Sequence, residues 1–422
     1  MKTYTPDLDP QVLTRLREYA TLFADEFPQS KPARWAGVYL QGLLLDGERK
    51  SIEPLSGRVT LPEGLTSQDP EQALQQFVNQ SPWDQHTVLR RYRAHLAQTF
   101  ASPEGLFLFD DVSFPKQGTH SVGVQRQYCG ALGKKANCQV AVSVHYVSPH
   151  GHYPLDVQLY LPDSWLADTK RLNKAGVPKD QRRERTKPEI ALELLDRVRA
   201  EGLPGRAVVA DAGYGVSGAF REGLGARGLD YIVGVTGELV VFTQEPQWVR
   251  PAPPSRGRPR TRSRLAPGNA QPVPLSAVAA QVPRRKVTWR EGTKGKLSGR
   301  FAWVRVWPGH GWATGACAGA APVWLLIEEQ GDGTLKYALS NLPVGTSRLA
   351  AVRLWKSRWP VEQGYQQMKE ELGVDHFEGR SWRGFHHHVA LVLLAYGFLL
   401  LERHRAQSAR DTRVKKGIHS RC

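Results

Sequence analysis

Apolar residues recur at intervals of three and four through the first hundred positions. The period is clearest in EQALQQFVNQ (71–80) and TVLRRYRAHLAQTF (87–100) and predicts amphipathic helices. At residue 105 the texture changes. GLFLFDDVSF sets a run of large apolar side chains against Asp110 and Asp111, which predicts a buried strand with acids at its C-terminal end. NCQVAVSVHYVS (137–148) and VQLYLP (157–162) follow, both β-rich and separated by turn residues, so three consecutive strands predict an antiparallel meander. From Thr186 the pattern alternates. KPEIALELLDRVRAEG is helical, GRAVVADAGYG is a buried strand ending at Asp211, and LDYIVGV is a further strand after another helical stretch, as in half of a parallel sheet.

Pro, Arg and Gly dominate residues 244 to 274, which include RPAPPSRGRPRTRSR. Such a stretch builds no core and reads as exposed, with arginines available to a phosphate backbone. KVTWREG (286–292), RFAWVRVWP (300–308) and VWLLIEE (323–329) restore the β texture, so the segment from about 237 to 320 reads as an insertion. Helical material from about 346 to 405 follows. Within RWPVEQGYQQMKEELG (358–373), Val361, Tyr365, Met368 and Leu372 step by four, three and four and form a core-facing stripe. Glu362 and Lys369 lie two turns apart on the neighbouring stripe, which puts Glu362 at the edge of the buried face. Pro360 suits the first turn of a helix and places Trp355 and Arg358 ahead of a kink.

Composition narrows the class. The 422 residues are 41% hydrophobic, enough for a sizeable core, and 57 Lys and Arg against 40 Asp and Glu leave a formal charge of +17. That charge suits a polyanionic partner, either nucleic acid or an acidic membrane surface. No charged-then-apolar leader opens the sequence and VALVLLAYGFLLL (389–401) is short for a membrane span, so the expectation is a soluble, cytosolic protein without a membrane partner. Cys129, Cys138, Cys317 and Cys422 show no paired short spacing and indicate neither a zinc framework nor a disulfide scaffold. His386, His387 and His388 are consecutive, pointing about 100° apart on a helix, and read as polar or DNA-facing residues beside a buried helix rather than a metal site. Arg90, Arg91, Arg93 and His95 give one N-terminal helix a basic face, open to two readings: a solvated surface or a phosphate contact.

The carboxylates carry the chemistry. An Asp pair closing one strand, an Asp closing another and a Glu on a late helix form an oxygen-only donor set, suited to Mg²⁺ or Mn²⁺ rather than Zn²⁺. Two such ions can activate an attacking oxygen and stabilise the leaving oxygen of a phosphodiester.

Trp355, Arg358, Glu362 and Lys369, with two, three and six residues between them, resemble the Tyr, Arg, Glu, Lys signature of the DDE transposases of insertion sequences, in the group typified by insertion sequence 4; Trp355 replaces the tyrosine. DDVSFPKQGTHSVGVQRQYCGALGKKANCQVAVSVHYVS, VVADAGYG, WREGTKG, LSNLP and RSWRGFHHHVALVLLAYGFL look more like the insertion sequence 701 branch. The resemblance implies an α/β fold, with an RNase H-like catalytic core, a β-rich insertion domain and an N-terminal helical domain. Its expected boundaries are a helical DNA-binding unit over 1–100, the core over 101–236 and 321–405, the insertion over 237–320 and a basic tail over 406–422. It implies Asp111, Asp211 and Glu362 as catalytic acids holding two Mg²⁺ or Mn²⁺ ions, with Asp110 as the substitute for Asp111. Lys116, Arg358, Lys369, Trp289, Arg290, Arg90 and Arg91 are the DNA-contact candidates; Trp289 reads equally as a core residue of the insertion. The implied function is binding the terminal inverted repeats of an element in double-stranded DNA, cutting phosphodiesters there and joining the 3′-hydroxyl ends to a target, as a homodimer on DNA. Two rival expectations share the fold: a DNA-binding copy without chemistry, suggested by the basic RVKKGIHSRC tail, and a nuclease without strand transfer.

Overall fold

A computed structural model describes residues 9–250, 262–292 and 295–419. Residues 251–261 of the Pro/Arg-rich segment lie outside the described residues. Five helices come first: α1 (Val12–Thr21), α2 (Ser30–Leu44), α3 (Ile52–Ser56), α4 (Pro70–Asn79) and α5 (Gln85–Phe100). Asp69 and Asp84 start α4 and α5 by accepting hydrogen bonds from Gln72 N and His86 N, which satisfies amides that a helix leaves unpaired.

Strands β1 (Leu106–Pro115), β2 (Gln125–Cys129), β3 (Lys134–Ser148) and β4 (Gly151–Leu159) form the meander. The long β3 pairs antiparallel with β1 on one side and with β2 and β4 on the other. After α6 (Asp163–Leu166) and α7 (Thr169–Lys174), α8 (Lys187–Ala200) begins with a capping box between Thr186 and Glu189 and leads into β5 (Ala207–Ala210). Then α9 (Ala212–Gly215) and α10 (Gly218–Ala226) precede β6 (Asp230–Val235). β5 pairs parallel with both β1 and β6, so the order β4-β3-β1-β5-β6 sits at the centre of the molecule.

The remaining strands are β7 (Val240–Phe242), β8 (Trp248–Val249), β9 (Arg264–Leu265) and β10 (Val273–Pro274), then, after α11 (Leu275–Gln281), β11 (Arg285–Gly292), β12 (Gly295–Pro308), β13 (Val323–Glu329) and β14 (Leu335–Ser340). β14 pairs with β6, β13 with β14 and β12 with β13, so the same sheet continues, 12-stranded among the described residues, while β8 and β9 form a separate pair. One antiparallel run crosses position 320, because the partners of β12 come from residues 323–329, a pairing that no local pattern reveals.

Helices cover both faces of the central strands. Leu106 and Leu108 of β1 share a core with Val352, Leu354 and Trp355 of α12 (Arg348–Trp355) and Val361 of α13 (Trp359–Glu370). Phe107 and Phe109 point the other way, into a core shared with Leu194 of α8, Tyr214 and Phe220. Each such phenylalanine contributes roughly 1.5–3 kcal/mol by leaving water.

The last helix, α14 (Trp382–His419), runs past position 405 into the segment expected to be a basic tail. Its first part is long and apolar enough to cross a membrane, yet 83% of that window is buried in the protein. His386, His387 and His388 lie on this helix and are buried, not DNA-facing. Their neighbours explain it: His387 stacks on Trp83 with centroids 3.7 Å apart, and Tyr39 OH lies 2.9 Å from His388 Nδ1. Arg93 is also buried, bonded to Glu201 through Nε at 2.6 Å, which leaves Arg90 and Arg91 as the exposed cations of α5. Cys129, Cys138 and Cys317 are free thiols, as their spacing indicates.

Candidate active site

β1 does not end at its acids. Parallel pairing with β5 stops at Phe109↔Ala210, while antiparallel pairing with β3 continues through Asp110↔Ser143 and Asp111↔Val142 to Pro115↔Cys138. Asp110 and Asp211 are therefore the first residues past the last shared rung, where β1 and β5 part and open a crevice at their carboxyl ends. Such forks are where open α/β sheets bind ligands.

Asp211 is held by the turn that follows it. Its Oδ1 accepts from Gly213 N at 2.9 Å, capping α9, and α9 lies directly on β6. A Cβ at Gly215 would collide with the Gly234 carbonyl oxygen, and one at Gly234 would stand 2.8 Å from Ala212 N. Only two glycines allow this backbone-on-backbone contact.

Alternation along β1 sends the two adjacent acids to opposite faces. Asp110 shares the face of Leu106 and Leu108, below α13, where Arg358 approaches its Oδ2 to 3.7 Å. Ser143, its partner across the ladder, is hydrogen-bonded to Tyr365 of α13. Asp111 meets α8 and α9 instead: Lys187 forms an ion pair with its Oδ2, and Tyr214 OH donates to its Oδ1 at 2.5 Å. Burial drives the Asp110 carboxyl up to about 7, against the pull of Arg358 and with the charges of Asp211 and Asp111 adding to it. Burial also raises Asp211; Arg358 again opposes it and Asp111 reinforces it.

On α13, Arg358, Glu362, Tyr365 and Lys369 fall at intervals of four, three and four along one stripe. Arg358 and Tyr365 reach toward β1 and β3, and Glu362 stands between them on the helix, exposed and with no hydrogen bond or ion pair among the described residues. Lys369 is half-buried in the last turn. Pro360 does sit in the first turn, and a 3-10 turn over Lys356–Arg358 separates α13 from α12. Trp355, in the tyrosine's place, points inward: its Nε1 donates to Glu328 Oε2 at 2.7 Å.

Asp111 and Asp211 lie close enough to Asp110 for their charges to act on it, but the acids are not gathered into a cage. Among the described residues, no three His, Cys, Asp or Glu side chains form a group able to hold a metal ion. The donor set nonetheless fits a hard divalent cation: Asp110 and Asp211 are half-buried oxygen donors at the strand fork, and desolvation first, then neighbouring carboxylate charge, raises their pKa values against the pull of Arg358.

The other contact candidates scatter. Lys116 turns inward, with Nζ donating to the Phe377 carbonyl at 2.5 Å, and burial lowers its pKa. Trp289 is half-buried, edge-on to Phe301 at 5.7 Å with Lys356 above its ring at 5.1 Å, while Arg290 beside it is exposed. Arg90 and Arg91 are on α5, in the helical part of the molecule. The sequence pattern does not single out Lys187, and it makes Tyr365 a core residue. Only Lys187, a cation opening a helix, carries a local signal, and that signal is common.

Comparison with known proteins adds two findings. The family model described as DDE superfamily endonuclease matches residues 22–296, a span that holds Asp110, Asp111 and Asp211 and stops before α13. The chain is 33% identical over 221 residues to the "Probable transposase for insertion sequence element IS701" of Microchaete diplosiphon, covering 52% of this chain and 53% of that protein. The chain thus spans about half the length of the curated relative it matches.

Proposed function

The chain belongs to the DDE superfamily endonucleases, and on that premise we propose that it is an insertion-sequence transposase that cuts DNA at the ends of its element and joins the freed 3′-hydroxyls to a target. The observation that carries this reading is the pair of carboxyls, Asp110 and Asp211, side by side where β1 and β5 part. In this reading Asp110, rather than Asp111, is the first catalytic acid, because it shares the face of α13 and Asp111 already has two partners. Asp110, Asp211 and Glu362 would hold two Mg²⁺ or Mn²⁺ ions. Divalent ions there supply Lewis-acid activation of the attacking oxygen and stabilisation of the leaving one.

The chain's own residues do the rest. Arg358 screens Asp110 and, once the carboxylates have other partners, offers a guanidinium to the scissile phosphate. Lys187 and Tyr214 fix Asp111, the backbone next to Asp110. The Gly215–Gly234 contact fixes Asp211. Arg90, Arg91, Arg290 and Lys369 are proposed DNA contacts, and cutting both element ends calls for a homodimer on double-stranded DNA.

The deciding experiment incubates purified protein and Mg²⁺ with labelled DNA carrying the element's end and a supercoiled target. Cutting at the boundary with joined products, absent in Glu362→Gln, is the expected result. Cutting without joined products would make the protein a nuclease, and end binding without cutting a DNA-binding copy.

A further inference from the structure

A groove of about 860 Å³ lies between the helical part of the molecule and the loop at 376–381, away from the acids. One wall is α4. Gln72, Gln75 and Gln76 are exposed along it, and their side chains make no hydrogen bond among the described residues. On a chain that is 23% charged, this groove wall presents adjacent free carboxamides. The wall's acids, Glu53 and Glu71, lie on α3 and in the first turn of α4.

The lining also carries cations. Lys174 at the end of α7 and Arg380 are exposed, without an ion pair or side-chain hydrogen bond among the described residues, whereas Glu378 beside them is engaged by Arg49 at 2.6 Å. Arg171 lies over the Trp165 ring at 3.9 Å, which fixes its guanidinium plane. Guanidinium planes are surfaces on which unpaired bases stack. The lining therefore combines cations from α7 and the 376–381 loop with amides from α4.

We propose that this groove binds a single DNA strand, its phosphates along Lys174 and Arg380 and its bases toward α4, with a preference for adenine. The inference rests on the DNA-acting function above. Carboxamides match adenine because they offer a donor and an acceptor to its N7 and N6 edge. A single strand fits better than a duplex because α4 forms the wall of a concave groove, whereas reading a major groove needs a projecting helix. The groove is also joined to the acid-bearing strand: Lys116, at the end of β1, bonds the Phe377 carbonyl at 2.5 Å, and Val122 N donates to the Arg380 carbonyl at 3.1 Å. From Asp111 to Lys116 the strand covers roughly 17 Å, a few nucleotides of path.

The test measures fluorescence anisotropy of the full chain, in EDTA, with labelled oligodeoxyadenylate and oligodeoxythymidylate of about twenty nucleotides and a mixed-sequence duplex. The expected result is roughly tenfold tighter binding of the adenine strand. A Gln72→Ala/Gln75→Ala/Gln76→Ala variant loses that preference and keeps thymine-strand affinity, while Lys174→Glu/Arg380→Glu weakens both strands, each with an unchanged melting curve. Equal affinity for the two strands, or a preference that survives the triple substitution, overturns the proposal. Binding to duplex but to neither strand also overturns it and leaves the transposase reading standing; no binding to any DNA removes both.

Discussion

Two groups of titratable side chains packed into the fold face different fates in this protein. The histidines of α14 have backbone partners: His388 Nε2 donates to the Gly373 carbonyl at 3.0 Å, His386 Nδ1 to the Trp382 carbonyl at 3.0 Å, and the ring nitrogens of His387 lie 2.9 Å from the carbonyls of Val78 and Trp83, one of which accepts the single N–H of the neutral ring. The carboxyls of Asp110 and Asp211 are only half-buried, and Arg358 is the main cation acting on both. Satisfied polar groups in a core serve architecture, whereas buried charge left short of partners is where a protein has room for chemistry.

The contrast breaks first if Asp110→Asn leaves cleavage intact. We expect a loss of roughly 10³-fold or more in metal-dependent cutting, with a melting temperature unchanged or higher, because the substitution removes a poorly compensated charge. Abolition in Asp111→Asn with activity kept in Asp110→Asn would reverse the assignment of the two acids. Gly215→Ala comes next. Its Cβ would meet the Gly234 carbonyl, so Asp211 must shift, and cleavage should fall by about 10²-fold with about 1–3 kcal/mol of stability lost in denaturant melts.

On the histidine side the signature is the opposite one. His387→Ala should destabilise by about 2–4 kcal/mol, since it removes a stacked ring and leaves buried carbonyls unpaired, while the folded fraction keeps its specific activity. Tyr214→Phe is milder: losing one charge-assisted hydrogen bond to Asp111 should cost about tenfold in cleavage rate.

The smallest effect is a pH slope. Burial lowers His386 to about 4, His387 to about 3 and His388 to about 4, so between those values and about 6.5 the unfolded chain binds more protons than the folded one. The stabilisation is complete above pH 6.5 and drains away as pH falls toward 4. Denaturant midpoints at pH 7.5 and 5 should therefore converge in His388→Gln relative to the parent chain.

Much of the site was legible because its signals are local. The LFLF run ending in two aspartates, AVVAD with its glycines, and the four-three stepping around Glu362 each mark an element and the acid it carries. The choice between Asp110 and Asp111 was not legible: alternation says only that they face opposite ways, and which face holds α13 depends on packing across some 250 residues of chain. The three histidines misled for the same reason, since their partners at Val78, Trp83 and Tyr39 come from the N-terminal helical region more than 300 positions away.

The sequence by itself determined the elements, the acids at the strand fork and the cationic character of the chain, because hydrophobic period, turn residues and net charge are properties of neighbours and sums. Tertiary structure decided which aspartate looks toward the late helix, that Lys187 and Tyr214 hold the other, that Lys116 turns inward, and that α4 and the 376–381 loop enclose a groove. Those outcomes depend on contacts between distant segments, whose energies of a kilocalorie or so each are set by burial and geometry that no local pattern encodes.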